Sequence, residues 1–419
     1  MNKIIHGDCL EKLKELEENS VDSIVCDPPY ELGFMGKSWD NTGIANNKEM
    51  WAECLRVLKP GGHLLAFSGT RTYHRMASAI EDAGFEVRDM VEWVYGSGFP
   101  KSLNIGKKVD ELQGNERVVV GTQMLGGNAA QSTKEKGGTY ASNTNAVGVK
   151  PIEVKLTKGT SEWEGWGTAL KPSHEPICMA RKPLSEKTVA ENCLKWGTGG
   201  INIDESRVDT NGEEVVRNFN DFSNQHGNKF GNGEPIKTER SEKTTDGRWP
   251  ANLIHDNSEE VRECFPETKS GKLKSDCYEK DRDNDSIFAG GENFTHKGYE
   301  ADSGNASRFF KSIIYQAKAS KSERNKGCEG LEEKVRIRQG LAGEHKDTIS
   351  SNSHPTVKPI ALMEYLIKMV TKPGGVVLDP FAGSGTTLVA AKKNGYNYIG
   401  IELTEEYIPI IKARLSLPD

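Results

Sequence analysis

Two apolar periods take turns along the first hundred residues. Residues 3–6 read as a short strand that opens into Gly7-Asp8, and the next apolar positions, Leu10, Leu13 and Leu16, recur at helical spacing. Ser23-Ile24-Val25-Cys26, inside the run 21–26, is short, β-branched and flanked by polar residues, which predicts a buried strand. A helix over 49–58, a turn at Lys59-Pro60-Gly61-Gly62, a strand over 63–67, a helix over 73–83 and a strand over 87–95 follow. The C-terminal part resumes the theme: a helix over 360–370, a strand over 376–379, a helix carrying Leu388, Ala390 and Ala391, a strand over 398–402, and a helix over 405–415. Such alternation predicts an α/β fold with a Rossmann-like, doubly wound, mostly parallel sheet. In such a sheet the first strand belongs beside 398–402, because joining the two chain ends restores an unbroken order.

The middle of the chain breaks this pattern. After Gly96-Ser97-Gly98-Phe99-Pro100 the alternation stops, and 125–149 is rich in Gly, Asn, Ser and Thr, so about 101–169 reads as a long loop. Residues 170–181 carry the last strand of the catalytic sheet. From 187 to 343 there are only short apolar clusters, Ile201-Asn202-Ile203 and Trp249-Pro250-Ala251-Asn252-Leu253-Ile254, among polar and glycine-rich stretches. The expected organisation is a catalytic half over 1–185, an irregular insertion over 186–344, and a second half over 345–419.

Chemistry enters where the strand 21–26 gives way to Asp27-Pro28-Pro29-Tyr30. Two prolines donate no backbone hydrogen bonds and hold φ near −65° (about), which leaves the Pro28 carbonyl bare and the segment stiff. A carboxylate, a carbonyl and an aromatic face converge, a set that suits a flat ring bearing an amino group: two acceptors for two N–H bonds and a ring to stack on. Asp-Pro-Pro can also simply end a strand. A second feature far along the chain shifts the balance. Asp379-Pro380-Phe381-Ala382-Gly383-Ser384-Gly385-Thr386-Thr387 is a glycine turn between strand and helix, where a ligand can approach the backbone at a helix N-terminus. The next strand ends in Glu402, 17 residues beyond Gly385, the place and charge expected to meet ribose hydroxyls. No P-loop lysine is present, so a nucleoside derivative fits better than a triphosphate.

Together with His354-Pro355-Thr356-x-Lys358-Pro359, these segments resemble those of the S-adenosylmethionine-dependent amino-methyltransferases of DNA, and the order, tetrapeptide first and glycine loop last, resembles their β group, a circularly permuted arrangement. The resemblance implies methyl transfer to N6 of adenine in double-stranded DNA after base flipping, with Asp27, Pro28, Pro29 and Tyr30 catalytic. It implies S-adenosylmethionine as cofactor, bound by Asp8, His354, Thr356, Lys358, Glu402 and the loop from Asp379 to Thr387. For Asp8, capping of the following helix is an alternative role. The insertion 186–344 then stands where such enzymes carry their target-recognition region, and members of this group are often dimers.

Composition bounds these readings. The chain has 419 residues, 35% apolar, with negative mean hydropathy and no apolar run near 18 residues, so neither a membrane span nor a signal peptide is expected and the location is cytoplasmic. Eight cysteines, none in a Cys-x-x-Cys pair, give no support for a metal. A net charge of −6 is awkward for a nucleic-acid partner, but residues 306–340 hold nine Lys and Arg against four Glu. Lys311, Lys318, Lys321 and Arg324 from this stretch, with Phe34 and Trp39 from the loop after the tetrapeptide, are the expected DNA contacts. N4 of cytosine is the alternative target; a catalytically silent nucleic-acid-binding subunit and a small-molecule or protein amide methyltransferase are the readings from other classes.

Overall fold

Neighbouring strands from opposite ends of the chain build the centre of the molecule. The structure is a computed structural model, and it describes residues 2–32, 38–96, 98, 102–125, 152–210, 215–218, 241–244, 247–269, 303–313, 321–332, 334–339 and 345–417. Among these, nine strands form one sheet: β1 (Asn2–His6), β2 (Val21–Cys26), β3 (Leu58–Phe67), β4 (Glu86–Val94), β5 (His174–Arg181), β6 (Leu253–His255), β7 (Lys311–Ser312), β8 (Val376–Asp379) and β9 (Asn397–Glu402). Their order is β1-β9-β8-β2-β3-β5-β4-β6-β7, with every neighbour parallel except β5, which runs antiparallel to β3 and β4. As the sequence implies, β1 lies beside β9, with Asn2 opposite Tyr398 and His6 opposite Glu402.

The central strands β2, β3 and β8 are buried on both faces, and their alternate residues feed two cores. Ile24, Cys26, Leu64, Ala66 and Leu378 pack with the helices α1 (Cys9–Lys14), α2 (Lys48–Val57) and α3 (Tyr73–Asp82). Val25, Leu65, Phe67 and Val377 pack on the other face with α4 (Ile360–Val370), α5 (Thr386–Lys393) and α6 (Ile408–Leu415). Each fully buried aliphatic side chain contributes about 1.5–3 kcal/mol, so this two-sided burial holds the sheet together. Asp22, buried inside β2, is paired: it accepts from Lys59 at 2.7 Å and from the Val376 N–H at 2.8 Å.

The register places the two motifs side by side. Ser23 of β2 stands opposite Val377 of β8, and Ile24 opposite Leu378. Both strands end at the same edge, so residues 27–30 and 380–385 leave the sheet next to one another. From this point the sheet proceeds to β9 and β1 in one direction and to β3 in the other, the crevice where open α/β sheets receive ligands.

Three expectations are corrected. The turn read at residues 59–62 belongs to β3: pairing jumps from Val21–Leu58 to Ser23–His63, and Gly61, at φ +76°, lets the excess residues bulge while its N–H donates to the Lys182 carbonyl at 3.1 Å. The stretch 101–169 is no simple loop. It carries a helix, Ile105–Gln113, capped by Asn104, and a hairpin of Val118–Leu125 with Ile152–Lys158. Arg117 ties them by gripping Glu164 at 2.9 and 3.0 Å and the Asp110 carboxylate, and residues 96–173 form a compact unit of their own. Val118-Val119-Val120 was the strand signal there; residues 126–149 lie outside the described residues. Finally, the described parts of 186–344 are not set apart: β6 and β7 extend the sheet beyond β4, and 1–95 with 174–419 make up the other unit. Short apolar runs such as 253–255 suffice for strands near the margin of the sheet.

Candidate active site

The stiff tetrapeptide sets Asp27 at the end of β2, where it meets a lysine from the far end of the chain. Lys358, just before α4, donates to Asp27 Oδ2 at 2.8 Å and to the Tyr30 hydroxyl at 3.0 Å, and stands 3.2 Å from Glu175 Oε2. The Tyr30 hydroxyl in turn donates to Glu175 Oε2 at 2.9 Å. The lysine ammonium lies 4.8 Å from the Phe67 ring centroid and 5.2 Å from that of Tyr30. Side-chain exposure is 10% for Lys358, 22% for Asp27 and 20% for Glu175, so these charges are largely out of water. Burial by itself pushes the ammonium toward its neutral form; the Asp27 and Glu175 carboxylates outweigh this and hold Lys358 above its ordinary value. Burial, then the same carboxylates, keep the Tyr30 phenol neutral.

One atom in this cluster lacks a partner. Asp27 Oδ1 is buried and accepts no hydrogen bond among the described residues. A buried acceptor left bare costs about 1–3 kcal/mol, more when charged, and marks a place kept for something else.

Beside it, the glycine turn is held from three sides. Gly383 and Gly385 sit at φ +54° and +77°, the left-handed region that favours glycine, and a methyl group on Gly383 would meet His354 Nε2 at 2.8 Å. Glu402, at the end of β9, accepts the Gly383 N–H at 2.7 Å on one oxygen and the Thr404 N–H at 2.7 Å on the other. Arg414 of α6 is buried and donates through one nitrogen to the Ser384 carbonyl at 2.8 Å, the Ser384 hydroxyl at 3.0 Å and the Thr386 hydroxyl at 3.0 Å. Asp379 is buried at the root of the loop and accepts the Phe381 N–H at 3.0 Å. Burial pushes its carboxyl up to about 7, against the pull of hydrogen bonds from Thr387 and Phe381.

Most residues singled out from the sequence converge here, with exceptions. His354 bonds the Thr356 carbonyl and packs edge-on against Tyr407 at 4.6 Å, next to the glycine turn. Lys358 joins Asp27 instead of the cofactor loop. Asp8 caps α1, accepting the Leu10 N–H at 2.9 Å and the Glu11 N–H at 3.3 Å. Two expected DNA contacts are not surface cations: Arg324 is buried with its guanidinium on the His354 carbonyl, and half-buried Lys311 reaches the Arg207 carbonyl at 3.4 Å over the Tyr365 ring. In both cases the cation satisfies a backbone acceptor close by. Lys318 and Phe34 lie outside the described residues, as do the side chains of Lys321 and Trp39. Glu175 and Arg414 were missed. Arg414 had a signal, a lone charge among Ile410, Ile411 and Leu415 on the buried stripe of its helix. Among the described residues no three His, Cys, Asp or Glu cluster as a metal site.

A DNA methylase family model, that of the N6/N4 methyltransferases, matches residues 21–413, from β2 into the last helix. The chain belongs to the N6/N4 DNA methylase family. Within this DNA methylase family it is similar to the methylase YubD of Escherichia coli (strain K12), 57% identical over 63 residues, 15% of this chain and 28% of that protein. It is also similar to the type II methyltransferase M2.DpnII of Streptococcus pneumoniae, 49% identical over 66 residues, 16% of this chain and 25% of that protein. Each alignment thus spans about a quarter of the relative's length. Among solved structures, the PvuII DNA methyltransferase, described as cytosine-N4-specific, aligns at 13% identity and TM-score 0.44, over 100% of this chain and 87% of that one.

Proposed function

We propose that this DNA methylase family member transfers the methyl group of S-adenosylmethionine to N6 of adenine in double-stranded DNA, acting on a base flipped out of the helix. The observation that carries the reading is the bare, buried Oδ1 of Asp27 at the crevice beside the glycine loop. The residues present suit the cofactor: a left-handed glycine turn open to close approach, an acid at the end of β9, and carboxylates near a place for positive charge. Glu402, Asp8, His354, Thr356 and the loop from Asp379 to Thr387 would hold it. When bound, it supplies an electrophilic methyl carbon on a positively charged sulfur.

An exocyclic amine is a weak nucleophile, because its lone pair is delocalised into the ring. Asp27 Oδ1 and the Pro28 carbonyl accept its two N–H bonds, drawing the nitrogen toward tetrahedral geometry and aiming the lone pair. Alignment of two held reactants is worth about 7–11 kcal/mol. The bound cofactor would supply the methyl group and keep the electron pair of the broken C–S bond on its sulfur, while Asp27 takes one amine proton as the nitrogen becomes positive and passes it to water. Tyr30, fixed by Glu175 and Lys358, offers its ring for stacking, which offsets part of the few kcal/mol (about) that flipping costs.

Cytosine N4 is the second reading, since cytosine presents the same exocyclic amine and the family spans both reactions. Incubation with duplex DNA and labelled S-adenosylmethionine, followed by digestion to nucleosides, tests both. Label in N6-methyladenosine is the expected result; label in N4-methylcytosine selects the alternative, and no label overturns the reading.

A further inference from the structure

The sequence motif that holds Lys358 also holds His354, which stands at the glycine turn, yet Lys358 is committed elsewhere. An ammonium has three N–H bonds, and three acceptors stand at 2.8, 3.0 and 3.2 Å: Asp27 Oδ2, the Tyr30 hydroxyl and Glu175 Oε2. None is left for a ligand. We propose that Lys358 is a positioning residue for Asp27: by occupying Oδ2 and bridging it to Glu175, it turns Oδ1 toward the substrate amine and supplies the positive charge that balances the two carboxylates. The inference rests on the methyl-transfer reading above and assigns a task to Lys358 and Glu175 within it.

Charge balance governs this largely buried cluster. Asp27 and Glu175 face one cation, Lys358, and one neutral phenol, Tyr30; the Asp379 carboxyl and the Cys26 thiol also feel the Asp27 charge. With the ammonium present the cluster carries a single net negative charge. Without it, two carboxylates share a largely buried site with no cation between them, and their repulsion disfavours keeping both charges. One takes a proton, and an Asp27 that is protonated or rotated no longer presents a charged acceptor to the amine. Glu175 matters twice, as the second anchor of Lys358 and as the acceptor of the Tyr30 hydroxyl, which orients the stacking ring. With Oδ2 held by the ammonium, the Asp27 carboxylate serves mainly to orient the amine, and it takes the proton only as positive charge develops on nitrogen.

The test compares Lys358→Met, Lys358→Arg and the doubly substituted K358M/E175Q with the wild type, reading kcat against pH and cofactor affinity by calorimetry. Wild type and Lys358→Arg are expected to show flat profiles through neutrality. In Lys358→Met the rate falls about tenfold for each pH unit below a new midpoint, and the double substitution, which removes the competing carboxylate, abolishes that limb. Cofactor affinity stays within about twofold throughout. Weakened cofactor binding with an unchanged profile, or a loss equal at every pH and indifferent to E175Q, overturns the proposal. Should the wild type transfer no methyl to DNA, the functional reading fails, and the cluster is still read by melting temperature. Lys358→Met then gains stability as pH falls, because its buried carboxylate pair takes up a proton, whereas K358M/E175Q does not; identical pH dependence of the two overturns the charge-balance argument. If Lys358→Met fails to fold and the double variant folds, that difference supports it.

Discussion

Arg414 stands 2.8 Å from the carbonyl oxygen of Ser384 and 3.0 Å from its hydroxyl, so the closing helix of the chain grips the glycine turn from below. The guanidinium is buried, and its hydrogen bonds are charge-assisted. Arg414→Ala leaves the Ser384 carbonyl and the Thr386 hydroxyl without this donor. It is expected to cost about 2–3 kcal/mol in denaturant unfolding and to weaken cofactor binding about tenfold by calorimetry. Wild-type affinity in this variant would mean that the turn keeps its shape without the clamp.

Asp27 is expected to separate chemistry from binding. Asp27→Ala and Asp27→Asn remove the charged acceptor, while the glycine loop proposed to meet the cofactor follows β8 and is braced by Glu402 at the end of β9. The turnover number should fall at least about a hundredfold, with cofactor affinity within about twofold. A variant with normal turnover would remove Asp27 from the reaction.

Glu402 uses each of its carboxylate oxygens on a backbone N–H, from Gly383 and from Thr404. Glu402→Gln offers one acceptor for two donors, so one buried N–H loses its partner at a cost of about 1–3 kcal/mol. Cofactor affinity should drop about tenfold or more, with kcat at saturation changed far less. Equal losses in both would place Glu402 in the chemistry.

Asp379 makes stability depend on pH. Its folded value is pushed from 3.8 to about 7, so between these the folded chain holds a proton that the unfolded chain releases. Its contribution is therefore largest below the ordinary carboxyl value and is lost as pH rises through about 7. Asp379→Asn is neutral throughout, so relative to wild type it should be more stable at pH 8 than at pH 5, by on the order of 1–2 kcal/mol in urea unfolding. A difference that does not change with pH would show that the carboxyl ionises freely in the fold.

The doubly wound order put β1 beside β9, and hydrophobic pattern determined the alternation of strands and helices, because a sheet whose central strands are buried on both faces demands continuous apolar runs with polar loops at their ends. Those features are local, and local chemistry reports them: proline stiffens residues 27–30, and glycine supplies the positive φ of the turn at 383 and 385. Only the tertiary structure decided which charges meet. Lys358 reads as part of a cofactor motif by its neighbours in sequence and is captured instead by Asp27 and Glu175, hundreds of residues away. Arg324 reads as part of a basic face and is buried on a carbonyl. A charged side chain is long and flexible, and its partner is chosen by whatever acceptor the fold brings within about 3 Å, a distance that no spacing along the chain encodes.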